Sequence, residues 1–126
     1  MNSLPCDAAL PPRRPPAPVQ PNELDLRRIT RALERRRRYR YVSPRVHVVP
    51  GGYRIDSPCC SRNVDPSGGV IDIALIEHRP DAGPDAAWQL YARDHAAGAW
   101  YLHGGHRRLA DALAALCDDP ERRFWR

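Results

Sequence analysis

The sequence predicts an α+β fold, an antiparallel sheet of four to six strands flanked by an N-terminal and a C-terminal helix. Three patterns predict it. Apolar residues recur at helical spacing near both ends, through Leu26, Ile29 and Leu33 and again through Leu109, Leu113 and Leu116. Between those segments the period drops to two. Clusters of proline, glycine and aspartate punctuate the alternation, as turns between short strands require. Strands bracketed by helices form one layered domain of roughly 100 residues.

Taken in order, residues 1–21 hold Pro5, Pro11, Pro12, Pro15, Pro16, Pro18 and Pro21 with few apolar anchors, and this segment is expected to be a disordered proline-rich tail. Its overlapping P-x-x-P spacings suit aromatic grooves, although composition alone also produces them. The single α+β domain is expected over 22–126. Asn22 is placed to cap a helix, with Asp25 at the capping-box position, and the spacing predicts a helix over about 23–37. Val46, Val48 and Val49, then Tyr53 and Ile55, alternate around Pro44 and Pro50-Gly51-Gly52 and read as short strands, with Tyr39, Tyr41 and Val42 before them. Val70, Ile71, Ile73, Leu75 and Ile76 form the most apolar stretch and the predicted central strand. Residues 88–94 and 99–103 flank a short polar link and predict a hairpin. A helix is expected over about 106–117, ended by Asp118-Asp119-Pro120, with Phe124 and Trp125 folding back onto the sheet.

Charge is distributed unevenly. Residues 1–45 carry eleven arginines against four acids, a net charge of +7, whereas the other 81 residues carry nine arginines against eleven acids, a net charge of −2. A clustered field of this kind attracts polyanions whatever the fold. All 20 basic residues are arginine, which excludes lysine-dependent mechanisms such as Schiff-base catalysis. Cys6, Cys59, Cys60 and Cys117 form no C-x-x-C pair or zinc spacing and are expected to be reduced structural thiols. No apolar run approaches the roughly 20 residues that span a bilayer. The opening residues lack the apolar core of a secretory signal, so a cytoplasmic protein is expected.

The strongest candidate for binding is the basic end of the first helix. Arg31, Arg35, Arg36, Arg37, Arg38 and Arg40, with Tyr39 and Tyr41 interleaved, combine guanidinium groups that grip phosphates with rings that stack on unpaired bases. Nucleic acid or an acidic protein is the partner this implies, and helix electrostatics account for part of the run without any partner. His103 and His106 lie close in sequence and are weak metal candidates. Asp56 or Asp72 with Glu77 supports an alternative reading as a metal-dependent phosphodiesterase or nuclease-like domain, against which the missing lysine weighs. No G-x-S-x-G elbow or phosphate loop is present, no cofactor is implied, and the balance favours a non-enzymatic binding or accessory domain.

From Asn22 onward the chain also resembles a bacterial family, domain of unknown function 3024. Glu23-Leu24 with the basic helix, Tyr53-Arg54-Ile55-Asp56, Glu77 with Arg79-Pro80, Trp88-Gln89-Leu90-Tyr91 with Arg93, Trp100, and Asp119 with Phe124-Trp125 carry the resemblance. It implies a compact domain and supplies no mechanism. The chain departs from the family pattern in lacking a strand between Arg79-Pro80 and the Trp88 motif, and in carrying the Cys59-Cys60 loop. In this setting Trp88, Tyr91 and Trp100 are expected to pack on the sheet, with Trp88 and Trp100 on one side of the hairpin.

Overall fold

Asn22 begins the first helix as its neighbours require. Its side-chain oxygen accepts the backbone N–H of Asp25 at 2.8 Å, and its amide donates back to the Asp25 carboxylate at 3.1 Å. The computed structural model describes residues 19–37, 42–59 and 69–125. Gln20 and Asn22 both contact the sheet. The Tyr53 hydroxyl donates to Gln20 Oε1 at 2.7 Å and accepts the N–H of Asn22 at 2.9 Å, fixing the entry of the helix to the sheet. The first eighteen residues lie outside the described residues.

Helix α1 spans Glu23–Leu33 and buries Ile29 and Leu33. It stops four residues earlier than its spacing predicts. The N–H groups of Glu34, Arg35 and Arg36 bond three residues back, to Arg31, Ala32 and Leu33, so the end tightens into 3₁₀ geometry. The N–H of Arg37 then leaves the helix and donates to Cys117 at 3.2 Å.

Five strands follow: β1 (Arg45–Val49), β2 (Gly52–Pro58), β3 (Val70–His78), β4 (Trp88–Asp94) and β5 (Ala99–His106). They form one antiparallel meander in sequence order. Tyr39 and Tyr41 lie outside the described residues. Between β3 and β4 the chain makes two 3₁₀ turns, Pro80–Ala82 and Pro84–Ala86, in place of a strand. The second turn rests on β5 at Gly105, where any Cβ would lie 2.8 Å from that of Ala86. The hairpin link is closed by Gly98 at φ 65° and by Asp94, whose carboxylate accepts the N–H of Ala97 at 3.0 Å.

Helix α2 (Leu109–Asp118) starts later than predicted because His106 still belongs to the sheet, paired with Trp88. Both helices cover one face. Tyr53, Ile55, Ala74, Ile76, Trp88, Leu90 and Ala92 from the sheet join Ile29, Leu33, Leu109, Leu113 and Leu116 in one core. None of the helices among the described residues is long and apolar enough to cross a membrane.

The core closes at the C-terminus around Asp119. This residue ends α2 at φ 35°, and its carboxylate, 1% exposed, accepts the backbone N–H groups of Arg123, Phe124 and Trp125 at 2.7, 3.2 and 2.8 Å. Phe124 and Trp125 are thereby turned into the core, where the Trp125 indole donates to the Leu116 carbonyl at 2.9 Å. Replacing Asp119 with alanine leaves three N–H groups without an acceptor and is expected to cost about 3 kcal/mol or more, at roughly 1 kcal/mol for each. Urea unfolding measures this loss, and an unchanged midpoint would show that the carboxylate does not hold the tail.

Candidate functional site

Alternation along β2 turns Tyr53 and Ile55 toward the helices and Arg54 and Asp56 toward the opposite face, which no described helix covers. On β3 the alternation is reset by a bulge. Ile55 pairs with Ala74 but Asp56 pairs with Asp72, so Ile73 is an extra residue, buried with Ala74. Asp72 is thereby brought onto the open face opposite Asp56. Arg54 occupies the space between the two carboxylates, 2.7 Å from Asp72 and 3.2 Å from Asp56, and the charge pairing raises its pKa further. His47 Nε2 lies 2.8 Å from Asp56, and Arg93 lies 3.9 Å from Asp72 while resting 5.0 Å over the Trp100 ring. One chain of contacts thus runs His47, Asp56, Arg54, Asp72, Arg93, Trp100 across all five strands.

This arrangement bears directly on the phosphodiesterase reading. Asp56 and Asp72 do meet, but around a guanidinium. Glu77 lies five residues farther along β3, about 17 Å at the rise of an extended strand. It pairs with Arg79 at 3.2 Å, beside Tyr91, whose phenol is pushed up by burial and by the nearby Glu77 charge. The three acids do not converge. Among the described residues, no three histidine, cysteine or acidic side chains are grouped to hold a metal.

The aromatic motif residues separate. Trp88 pairs with His106 and faces the core, whereas Trp100 pairs with Arg93, whose side lies on the open face. The two tryptophans therefore sit at opposite ends and on opposite faces of the hairpin, which corrects their expected placement together. Arg79 and Pro80 turn the chain out of β3, with the Arg79 N–H donating to Ala87 at 2.6 Å. His103 is the extra residue of a second bulge and packs on Phe124, ring centroids 4.9 Å apart. His106 is half-buried beside Trp88, with Nε2 lacking a hydrogen-bond partner among the described residues.

The arginine run also divides. Arg36 is 3% exposed and donates to the carbonyls of Leu33 and Val42 while lying 5.0 Å over the Trp125 ring. This corrects its assignment to the exposed binding surface: its guanidinium caps the tightened end of α1 from inside. Arg37 is exposed and lies 3.3 Å from Asp118. Arg38, Tyr39, Arg40 and Tyr41 fall outside the described residues. Arg31 in the last turn of α1 and Arg35 in the tightened turn that follows it are exposed and take part in no ion pair among the described residues. They line a groove of about 390 Å³ between the helices, shared with Arg28 and with Ala110, Ala114, Cys117 and Asp118 of α2. The Cys117 thiol donates to the Ala32 carbonyl at 3.3 Å, and burial pushes its pKa up to about 11, so it is an unreactive wall of that groove.

Sequence reasoning missed Arg54 and His47 as partners of the acids, and Arg28 as part of the groove. Alternation around Tyr53 and Ile55 was enough to place Arg54 beside Asp56. No pattern announced the bulge that adds Asp72.

Among the described residues, fold and surface together define an α+β domain of one sheet and two helices, the helices meeting in an arginine-edged groove. The chain belongs to the family described as domain of unknown function 3024, which it matches over residues 16–126. No curated protein and no solved structure matches it.

Burial holds the His106 imidazole below the ordinary histidine range, outweighing the opposite pull of Asp111. As pH falls below the ordinary value of 6.5, the unfolded chain therefore takes up this proton first, so the contribution is present above that value and lost below it. Urea midpoints at about pH 7 and about pH 5 should fall less in a His106→Gln variant than in the native chain. An equal fall in both would assign the acid sensitivity elsewhere.

Proposed function

We propose that this domain is a non-enzymatic binding module that engages the phosphate backbone of nucleic acid along the α1–α2 groove. The observation that carries this reading is the pairing state of Arg31 and Arg35. Other arginines on and after α1 have local partners: Arg27 lies 2.8 Å from Glu23, Arg28 lies 3.0 Å from Asp25, Arg36 is internal, and Arg37 meets Asp118. Two like charges one helical turn apart repel by a few tenths of a kcal/mol, and among the described residues Arg31 and Arg35 form no ion pair, the Asp118 carboxylate in the same groove being paired with Arg37.

The helix dipole favours cations near this end, but it does not account for two that remain unpaired at the edge of a groove. A phosphate supplies what is missing. Each guanidinium presents a planar fork to a tetrahedral anion, and a groove between helices follows a strand better than a flat patch does. The absence of lysine leaves arginine, the residue suited to bidentate phosphate contacts, as the sole always-charged side chain for the task. The reading is of binding without turnover: burial pushes the Cys117 thiol up to about 11, and alanine, leucine, arginine and the single carboxylate of Asp118 make up the other walls.

Fluorescence anisotropy with a labelled single-stranded and a labelled duplex oligonucleotide tests the reading. Binding should weaken steeply as salt rises, and an Arg31→Glu, Arg35→Glu double variant should lose about two released counterions from the slope of log affinity against log salt. Wild-type affinity in that variant at every salt concentration, or no binding by the native chain at low salt, would remove the proposal.

A further inference from the structure

A second concavity, of about 540 Å³, opens where α1 and α2 both begin, beside the end of the sheet. Its floor is apolar. Trp88, Leu109 and Leu113 line it, and each belongs to the core with less than a tenth of its surface exposed. His78 extends the floor, lying tilted against Trp88 with ring centroids 4.7 Å apart.

The rim is cationic. Arg28, Arg107 and Arg108 stand around the same space, with the buried Asp25 carboxylate in its wall. Asp25 is already satisfied: Gln20 and Asn22 donate to Oδ2 at 2.7 and 3.1 Å, and Arg28 donates to Oδ1 at 3.0 Å. That leaves Arg107 and Arg108 as the available cations. Their nearest acids are Asp85 at 3.8 Å and Asp111 at 3.4 Å, in pairs whose side chains are open to water. Pairs of that kind contribute little and yield readily to a closer, bidentate partner. The start of α2 lacks a side-chain cap, so its positive end adds to the same rim.

We propose that this cleft binds a small organic phosphate with a flat apolar body, of the nucleoside monophosphate class. The body lies against Trp88, His78 and Leu113, and the phosphate lies between Arg107 and Arg108. The volume falls within the range of small-molecule sites, which characteristically combine an apolar lining with a few convergent polar groups. Two neighbouring guanidiniums match a dianionic phosphate better than a single carboxylate. The aromatic floor argues for the flat body, since an inorganic anion would leave it unused. Arg28, Ala110 and Leu113 border both this cleft and the helix groove, but Arg31 and Arg35 line only the groove and Arg107 and Arg108 only the cleft, so the proposal does not rest on the reading of the groove.

The test is calorimetric titration and thermal melting of the full chain with the four ribonucleoside 5′-monophosphates, adenosine and inorganic phosphate. At least one monophosphate should bind saturably and raise Tm, with adenosine and inorganic phosphate each about tenfold weaker or more. An Arg107→Glu, Arg108→Glu variant should lose the binding, and so should Ala110→Trp, which places a ring in the mouth of the cleft from an exposed position. The Arg31→Glu, Arg35→Glu variant should bind the monophosphate as the native chain does. The proposal is overturned if no monophosphate saturates the native chain at millimolar concentration, or if inorganic phosphate does equally well. Native affinity in both cleft variants, or loss of binding in the groove variant, would also overturn it.

Discussion

One buried carboxylate organises the closing end of this molecule. Asp119 ends α2 in a left-handed conformation and gathers three successive N–H groups of the following turn. A carboxylate buried at this depth is stable only because those donors surround it, and they in turn would have no partner without it. The consequence reaches both helices. The turn directs Trp125 beneath Arg36, whose guanidinium donates to the Leu33 carbonyl at the end of α1, while the N–H of Arg37 reaches Cys117 on α2. The two helix ends are therefore tied through the turn from Asp119 to Trp125, and the groove between the helices inherits its geometry from that tie.

The same side-chain type does three different jobs. Arg36 is structural and internal. Arg54 holds two carboxylates together across a bulge and, with Arg93, extends a charged ladder over the uncovered sheet face. Arg31, Arg35, Arg107 and Arg108 face water with weak local pairing or none. A planar, always-charged fork tolerates all three environments: it stacks on rings, pairs with two acids at once, and remains charged where it is partly desolvated. Counting arginines consequently says little about which of them binds a partner. Their acids decide, and acids distant in sequence become neighbours only through folding.

Much of the architecture was legible from pattern. The cap at Asn22, the inward alternation of Tyr53 and Ile55, the apolar β3 and the leucine spacing of α2 each follow from one local rule and agree with one another, and agreement across levels is what makes a fold readable. The discrepancies have a common origin. The helix end at Leu33, the bulge at Ile73, the extension of β5 to His106 and the separation of Trp88 from Trp100 all depend on contacts made with another element. Propensity within a window of ten residues contains no information about those contacts.

The sequence by itself determined the fold class, the positions of the elements, the excess of positive charge toward one end and the family. These properties are sums over local preferences and composition, and so they survive without coordinates. Only the tertiary structure decided which charges are spent within the molecule. Arg36 went to the core, Asp56 and Asp72 closed on Arg54, and Arg31 and Arg35 kept their charge at a groove edge, because Coulomb pairing depends on a few ångströms of separation that chain order does not encode.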